Sequence, residues 1–359
     1  MECIKFDKED KYIKDFIKIT KKIYDKNDNM EDESTIKSIL LEKHPLSKYF
    51  KLDKFLIYDN NEVVARFAIT RYPDDKDTCY IGFFECINDK KVAKCLFDEA
   101  NKFAKENKFK HIVGPVDASF WIKYRLKINK FERPYTCEPY NKDYYLDLFK
   151  ANKYSIKEHY VSNRFEGVDE TYKNPKFKEH YDEFINLGYE IVKPKDKDFD
   201  KCMEEVYYLV TDLYSDFPVF KNVKKEDFLE VYSSLKKIIN MDMVRMAYFK
   251  GKPVGFYISV PNYNNIVYHL NAVNIAKILK IRKKPTDYVM LYMGVAKGHT
   301  GLGKALVYSI MLELMESGLP SIGALARDGK INAKYAEEMI NSQYEYVLLE
   351  RKVSWDLKT

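Results

Sequence analysis

The sequence lacks the cysteine and histidine patterns that hold metal ions. Six cysteines are present, and they form no CxxC pair and have no histidine at ligand spacing. Zinc sites in proteins require such closely spaced thiolate and imidazole ligands. We therefore expect no metal site, and we expect reduced thiols of the kind found in cytoplasmic proteins. The six positions are Cys3, Cys79, Cys86, Cys95, Cys137 and Cys202.

Long apolar runs are also missing. No stretch approaches the roughly 20 apolar residues needed to span a bilayer. The first ten residues, MECIKFDKED, are charged and contain no apolar core of the kind found in secretory signals. These absences predict a cytoplasmic globular protein without a membrane partner.

The charge of the chain is close to balanced. Sixty-one basic residues face 55 acidic ones, which gives a formal net charge of +6. No stretch concentrates the basic residues together with stacking aromatics, so we expect no nucleic-acid partner. Hydrophobic residues make up 46% of the 359-residue chain and charged residues 32%. This mix excludes disordered, collagen-like and disulfide-scaffold proteins, and the length favours about two domains.

An internal repeat organises the sequence. Phe55–Ala68 and Arg245–Ser259 both read as strand, tight turn, strand, and they align when Asn61 is matched with Gly251. Tyr144–Tyr154 and Lys334–Tyr344 share a helical pattern, and they align at the same offset along the chain. Shared composition alone does not produce equal offsets at two distant places. The sequence therefore predicts a duplication.

Each repeat contains a strand and a long helix between these two anchors. They are Tyr80–Ile87 with Lys91–Asn107, and Tyr288–Val295 with Leu302–Ser317. The order of elements predicts an α/β (α+β) fold with two tandem domains, each a mixed twisted sheet flanked by helices. The polar segment 166–178 is the predicted boundary, which gives domains 1–165 and 179–359.

One segment of the second repeat carries the pattern of an anion site. A nearly all-apolar strand, Tyr288–Val295, is followed by the glycine-rich turn Lys297–Lys304 and then by a helix. Amides in the first turn of a helix lack intrahelical partners, and the helix dipole places positive charge there. Gly301 and Gly303 would let a diphosphate approach the backbone, and the two flanking lysines add charge.

The segment Gly298–Gly303 resembles the coenzyme-binding motif of the GNAT acyltransferase superfamily, and the whole chain resembles a bacterial subgroup of tandem GNAT proteins. The resemblance implies acetyl-CoA as the cofactor, with its pantetheine arm held along a splayed strand. The first repeat has Asn88–Lys91 in place of the glycine turn and is expected to be a degenerate copy. The implied coenzyme-binding residues are Met293, Gly294, Val295, Lys297, Gly298, His299, Thr300, Gly301, Leu302, Gly303 and Lys304.

The resemblance also implies an N-acetyltransferase that moves an acyl group from coenzyme A to an amine on a small molecule or a peptide. Tyr335 and Asn332, on a predicted final helix, are the expected catalytic residues, with Tyr335 as the acid that protonates the departing thiolate. Glu85 occupies the strand position at which GNAT enzymes often carry a base.

Two departures from the motif keep other functions open. Gly298 replaces the usual Gln or Arg, and Met339 stands where the acid tyrosine often lies. One alternative is a Fem-like transferase that takes its acyl group from aminoacyl-tRNA. Another is a catalytically inactive binding protein with the GNAT fold. The acceptor, the acyl-chain length and the oligomeric state are not predicted.

Overall fold

The computed structural model describes residues 1–329 and 335–354. The chain forms two compact units that do not follow strict chain order. The amino-terminal unit comprises Met1–Pro134, Glu138–His159 and the described residues from Glu345 onward. The carboxy-terminal unit comprises Tyr135–Cys137 and the described residues from Tyr160 to Tyr344. Each unit thus takes a segment from the other half of the sequence, while the predicted domain division at 166–178 stays a prediction.

The amino-terminal unit is a mixed sheet with helices. Its strands follow the order β1-β2-β3-β4-β5-β15, in which β4 and β5 are parallel and the other neighbours antiparallel. The elements are β1 (Glu2–Phe6), α1 (Asp10–Ile23), α2 (Glu33–Leu40), β2 (Lys51–Asp59), β3 (Glu62–Arg71), β4 (Thr78–Cys86), α3 (Lys90–Glu106), β5 (His111–Gly114), β6 (Val116–Asp117), β7 (Lys123–Tyr124), β8 (Leu126–Lys127) and α4 (Tyr145–Ala151), with residues 345–352 of β15 (Ile340–Lys352).

The carboxy-terminal unit repeats this plan. Its strands follow the order β10-β11-β12-β13-β14-β9, in which β13 and β14 are parallel and the others antiparallel. The elements are residues 160–165 of β9 (Ser155–Phe165), α5 (Pro175–Asn186), β10 (Tyr189–Val192), α6 (Phe199–Leu213), α7 (Lys225–Tyr232), β11 (Val244–Phe249), β12 (Lys252–Pro261), α8 (Ala272–Lys283), β13 (Tyr288–Val295), α9 (Leu302–Ser317) and β14 (Ser321–Arg327).

The matching strand orders and directions confirm the predicted fold class and its tandem organisation. Local details also repeat. Asn60-Asn61 and Lys250-Gly251, the two hairpin turns, have positive φ at every position, which is the conformation of a type I′ turn. The register shifts after Ile57 in the first hairpin and after Ala247 in the second, which are equivalent positions of the sequence repeat.

The prediction of a final helix is wrong for the described residues. Where a helix was expected to end near Gln343, the described residues form a 3₁₀ turn at Glu337–Met339 followed by β15. Strand β15 begins at Ile340, within the segment predicted as helix, and farther along Tyr346 and Val347 pair with β8. Tertiary context thus overrides the local pattern here. By contrast, β13 and α9 have the predicted bounds.

Helix α9 is fixed to its sheet by the predicted stripe. Leu302, Leu306, Ile310 and Leu314 are all buried in one hydrophobic cluster with residues of β11, β12 and β13. Burial of these side chains holds α9 against the sheet. The helix begins at Leu302, after β13 ends at Val295.

Among the described residues, no helix is both long and apolar enough to cross a bilayer. In the same part of the chain, no cluster of three His, Cys, Asp or Glu side chains is placed to hold a metal ion.

Candidate active site in the carboxy-terminal unit

Strands β13 and β14 pair at one end and separate at the other. Their parallel ladder joins only Tyr288–Met290 to Ser321–Gly323. Beyond it, β13 stays paired with β12 up to Val295, whereas β14 bulges and continues along β9. Within the described residues, Leu291–Val295 therefore has no strand neighbour on the β14 side. We call Leu291–Val295 the splayed edge.

The splayed edge contains the three predicted pantetheine-binding residues. Met293 accepts a hydrogen bond at its carbonyl from Tyr214 Oη, 3.4 Å away. A Cβ atom on Gly294 would lie 2.6 Å from Leu213 Cδ1 and from Phe256 Cε1, so glycine is required for this packing. Residues at and after the end of α6 thus lie against the splayed edge and limit the width of any slot beside it.

The segment Lys297–Lys304, which we call the glycine loop, presents unpaired amides at the start of α9. Gly301 is the N-cap of α9, with φ of 100°, and no side chain caps the helix. The N–H groups of Gly298, Thr300 and Gly301 reach no acceptor in the described part of the chain. The amides of Leu302 and Lys304 do have partners, the carbonyls of His299 and Gly301. About half of the loop is therefore available to an anion, in the geometry of helix-terminus phosphate sites.

A histidine on α5 adds a side-chain donor to the loop. Lys304 Nζ lies 3.1 Å from His180 Nε2, and because an ammonium group can only donate, Nε2 accepts. The proton of a neutral imidazole then resides on Nδ1. This Nδ1 is buried and makes no hydrogen bond in the described residues, although Glu183 Oε2 lies 3.6 Å from it, and it would lie 3.5 Å from a Cβ atom on Gly301. A donor beside the glycine loop that makes no hydrogen bond fits an anionic oxygen.

The loop is positively charged at its surface. Lys297 is exposed, and its ammonium lies 3.8 Å from a carboxylate oxygen of Asp212, an ion pair that solvent screens. His299 is held in place by Tyr189, whose hydroxyl lies 2.7 Å from His299 Nδ1. The ring of His299 also packs edge-on against Phe249. This histidine is therefore oriented by its neighbours, in keeping with a binding role.

Tyr335 lies at the glycine loop. A Cβ atom on Gly303 would come within 2.7 Å of Tyr335 Oη, so the hydroxyl occupies the space that only glycine leaves open. The ring packs edge-on against Phe177. Burial raises the pKa of Tyr335, so the phenol is neutral at physiological pH. Asn332, the other predicted catalytic residue, lies outside the described residues.

In the amino-terminal unit, side chains of the protein occupy the two places that correspond to the start of α9 and to the splayed edge. At the start of α3, the carboxylate of Asp89 accepts from the amides of Lys91 and Val92. On β4, the amide of Phe83 donates to the carboxylate of Asp117. Protein carboxylates thus occupy the helix start and the β4 edge. These contacts support the prediction that the first repeat is a degenerate copy.

Glu85 belongs to a buried network of the amino-terminal unit. Tyr145 Oη donates to it at 2.6 Å, and an Arg66 nitrogen lies 3.8 Å from its other oxygen. Burial raises the pKa of Glu85 to about 7, against the opposing effect of Arg66. These contacts give Glu85 a structural role.

Sequence reasoning missed His180 and Tyr214. His180 lies on α5, which packs along α9, and no local motif marks it. Only knowledge that α5 and α9 are neighbours would have identified it. The predicted loop residues, by contrast, follow directly from the strand–glycine–helix pattern.

Comparison with solved structures identifies the fold. A "tandem GNAT protein from the clavulanic acid biosynthesis pathway" aligns over 99% of both chains, with a TM-score of 0.52 and 10% identity. A GCN5-related N-acetyltransferase from Anabaena variabilis aligns over 98% of this chain and 73% of that chain, with a TM-score of 0.52 and 10% identity. The chain therefore has a tandem GNAT fold, which confirms the resemblance found in the sequence at the level of fold.

Other comparisons add little. FemX aligns over 98% of this chain and 97% of its own at 11% identity, but its TM-score of 0.38 is too low to carry an argument. No protein-family model matches the sequence, and no curated protein matches it either. Sequence identities as low as those of the two aligned acetyltransferase-like structures show the fold alone.

Proposed function

We propose that the carboxy-terminal unit binds acetyl-CoA or a related acyl-CoA and transfers the acyl group to an amine of a small molecule or a peptide. The observation that carries this proposal is a contrast between the two units. In the carboxy-terminal unit an uncapped helix start lies directly after a splayed strand, whereas carboxylates fill both places in the amino-terminal unit.

The diphosphate is assigned to the glycine loop. The amides of Gly298, Thr300 and Gly301, together with Nδ1–H of His180, supply donors that make no hydrogen bond in the described residues. Glu183 Oε2 lies 3.6 Å from this Nδ1. Lys304 adds positive charge and fixes the tautomer of His180. N–H donors favour an anion, and the positive end of the α9 helix dipole at this place adds to that preference.

The pantetheine arm is assigned to the splayed edge, where Met293–Val295 continues beyond the last pair with β14. Bound acyl-CoA supplies an activated thioester, so the protein has mainly to orient an amine against it and to exclude competing water. Tyr214 and Leu213 lie against this edge and limit the space beside the arm.

Two roles are considered for Tyr335. One is the predicted acid that protonates the departing thiolate, and the other is a hydrogen-bond donor to the diphosphate. The Tyr335 hydroxyl adjoins Gly303 in the first turn of α9. This position favours a contact with the diphosphate end of the coenzyme. A neutral phenol can donate a proton or a hydrogen bond in either role.

Calorimetric titration of the full chain with acetyl-CoA and with CoA tests the proposal. We expect saturable binding, and Gly301→Asp should weaken it at least tenfold because it places a carboxylate against the diphosphate. Gly251→Asp is the matched control, since Gly251 also has positive φ and lies in an open hairpin turn. Both variants carry a similar backbone cost, and the control should bind normally.

Turnover is measured separately as thiol release from acetyl-CoA in the presence of amine acceptors. Binding without any release would support the inactive binding protein. No binding of either coenzyme at millimolar concentration would overturn the acyl-CoA proposal and leave the aminoacyl-tRNA-dependent alternative to be tested with charged tRNA.

A further inference from the structure

Helix α8 carries an exposed apolar surface. It lies in the segment 262–287 between β12 and β13, whereas only residues 72–77 join the corresponding strands β3 and β4. Four aliphatic side chains in or beside α8 are about half exposed or more: Leu270 at 66%, Val273 at 64%, Ile275 at 48% and Leu279 at 53%. Exposed aliphatic residues clustered in one element commonly mark an interaction surface.

The same segment is positively charged and contains no acidic residues to balance that charge. Residues 270–285 contain five basic side chains and no Asp or Glu. Arg282 pairs with Asp196 at 3.3 Å, but Lys277, Lys280, Lys283 and Lys284 form no ion pair in the described part of the chain. Helices such as α1 and α3, although rich in lysine, also contain acidic residues; in α3, for example, Lys94 pairs with Asp98.

The exposed residues cover the broad part of the helix that faces away from Ile278, with Val273 and Ile275 toward its opposite edges. Ile278 is buried and attaches α8 to the unit. Ala272, Ala276, Leu279 and Lys283 recur at spacings of four and three residues, so they lie along a single face, and all four are exposed. A shallow groove runs beside this face and is lined by Ala272, Val273, Ala276, Lys277 and Lys280.

We propose that α8 docks the protein on an anionic lipid surface, with the helix lying in the plane of the interface. Aliphatic side chains would enter the acyl boundary, and the lysine stems would extend so that the ammonium groups reach the lipid phosphates. The charge complements an anionic headgroup layer, and lysines near such a surface add to binding.

Other occupants fit less well. A second copy of this chain, related by two-fold symmetry, would bring two uncompensated lysine clusters together. Nucleic acid would account for the lysines but not for the exposed aliphatic side chains, and residues 270–285 contain no aromatic side chain for stacking on bases. The proposal is independent of the proposed acyl transfer. It also differs from the expectation of no membrane partner, which rested on the missing transmembrane run.

Flotation of the full chain with lipid vesicles tests the proposal. We expect binding to vesicles that contain phosphatidylglycerol, little binding to pure phosphatidylcholine, and a clear decrease as salt is raised, because salt screens exposed charges. Failure to bind phosphatidylglycerol vesicles at low salt would overturn the proposal.

Matched variants locate the surface. Lys277→Glu combined with Lys280→Glu should lower vesicle binding at least tenfold, and Leu279→Gln should lower it severalfold. The controls are Lys14→Glu combined with Lys18→Glu on α1, whose lysines are exposed, and Leu187→Gln at the exposed end of α5. Melting curves check that each variant is folded.

Two results would contradict the assignment to α8. One is equal vesicle binding by the α8 variants and the controls. The other is a concentration-dependent dimer in sedimentation that Leu279→Gln abolishes, because α8 would then be an interface between copies. An acidic protein as partner would be indicated by salt-sensitive binding to acidic polypeptides without binding to vesicles, and this too would overturn the proposal.

Discussion

The hydroxyl of Tyr335 lies beside Gly303, such that a Cβ atom at position 303 would lie 2.7 Å from the hydroxyl oxygen. The remaining ring atoms stand farther away, with Tyr335 Cζ at 3.6 Å from the same point. The hydroxyl alone therefore stands where a Cβ atom at this helical position would go, and it would have to move to admit one.

A double-mutant cycle checks this contact. Gly303→Ala should destabilise the protein in the wild-type background, because overpacking costs about 1–3 kcal/mol and exceeds the gain in helix propensity of about 1 kcal/mol. With Tyr335→Phe the clash is relieved, so the same change should be neutral or stabilising. Thermal and urea unfolding give both values, and an absence of coupling would show that Tyr335 does not lie against Gly303.

Tyr335→Phe also separates the two roles considered for this residue. If the hydroxyl contacts the diphosphate, the dissociation constant for CoA should rise about three- to tenfold while kcat changes little. If it acts as the acid, kcat should fall with unchanged affinity. We expect the first result, because the hydroxyl adjoins the first turn of α9.

His180→Leu should weaken coenzyme binding about tenfold, since it removes the Nδ1 donor beside Gly301, which makes no hydrogen bond in the described residues. Glu183→Gln is the control: its carboxylate lies 3.6 Å from the same nitrogen but points negative charge toward the site. That control should bind CoA as well as the wild type or more tightly. Unchanged affinity in the histidine variant would place the phosphates elsewhere.

Each chain should bind a single coenzyme. At the start of α3, Asp89 already supplies the anion that the helix amides require. Asp89→Ala should lower the free energy of unfolding by about 1 kcal/mol, as expected for loss of a helix cap, and should leave CoA binding unchanged. Calorimetric titration measures the number of coenzyme molecules bound per chain. A value of two per chain would contradict the degenerate-copy prediction.

The pH dependence of stability should reveal Glu85. Its pKa is about 7 in the folded protein because of burial, against 4.5 for an ordinary glutamate. Between these values the native state binds the extra proton, so the contribution of Glu85 to stability decreases as pH rises, by at most ~1.4 kcal/mol per pH unit. Glu85→Gln should remove this slope. Urea unfolding of both proteins at pH 5 and pH 8 provides the comparison, and equal slopes would contradict the raised pKa.

The sequence was informative where local signals agreed. For β13 and α9, an apolar run, a glycine turn and a leucine stripe specify the same strand and helix, and both form with the predicted bounds. The hairpin turns at Asn61 and Gly251 were equally readable because I′ turns need residues that tolerate positive φ. Local patterns of this kind also located the candidate coenzyme loop.

The failures involve distant pairing. The segment after Tyr335 resembles α4 in its local pattern, yet strand β15 begins at Ile340 and continues into pairs with β8 and β5. His180 was invisible for the same reason, since its role depends on α5 packing beside α9. Neither relationship is encoded in neighbouring residues.

The exchange of segments between the two halves has a consequence for biosynthesis. Leu349 pairs with Gly114, and Lys352 with His111, in the sheet of the amino-terminal unit. Most of the chain lies between these partners, so a nascent polypeptide leaves the ribosome with that sheet edge still open. The half that is translated first must therefore wait for Leu349–Lys352 to be synthesised before its sheet can close.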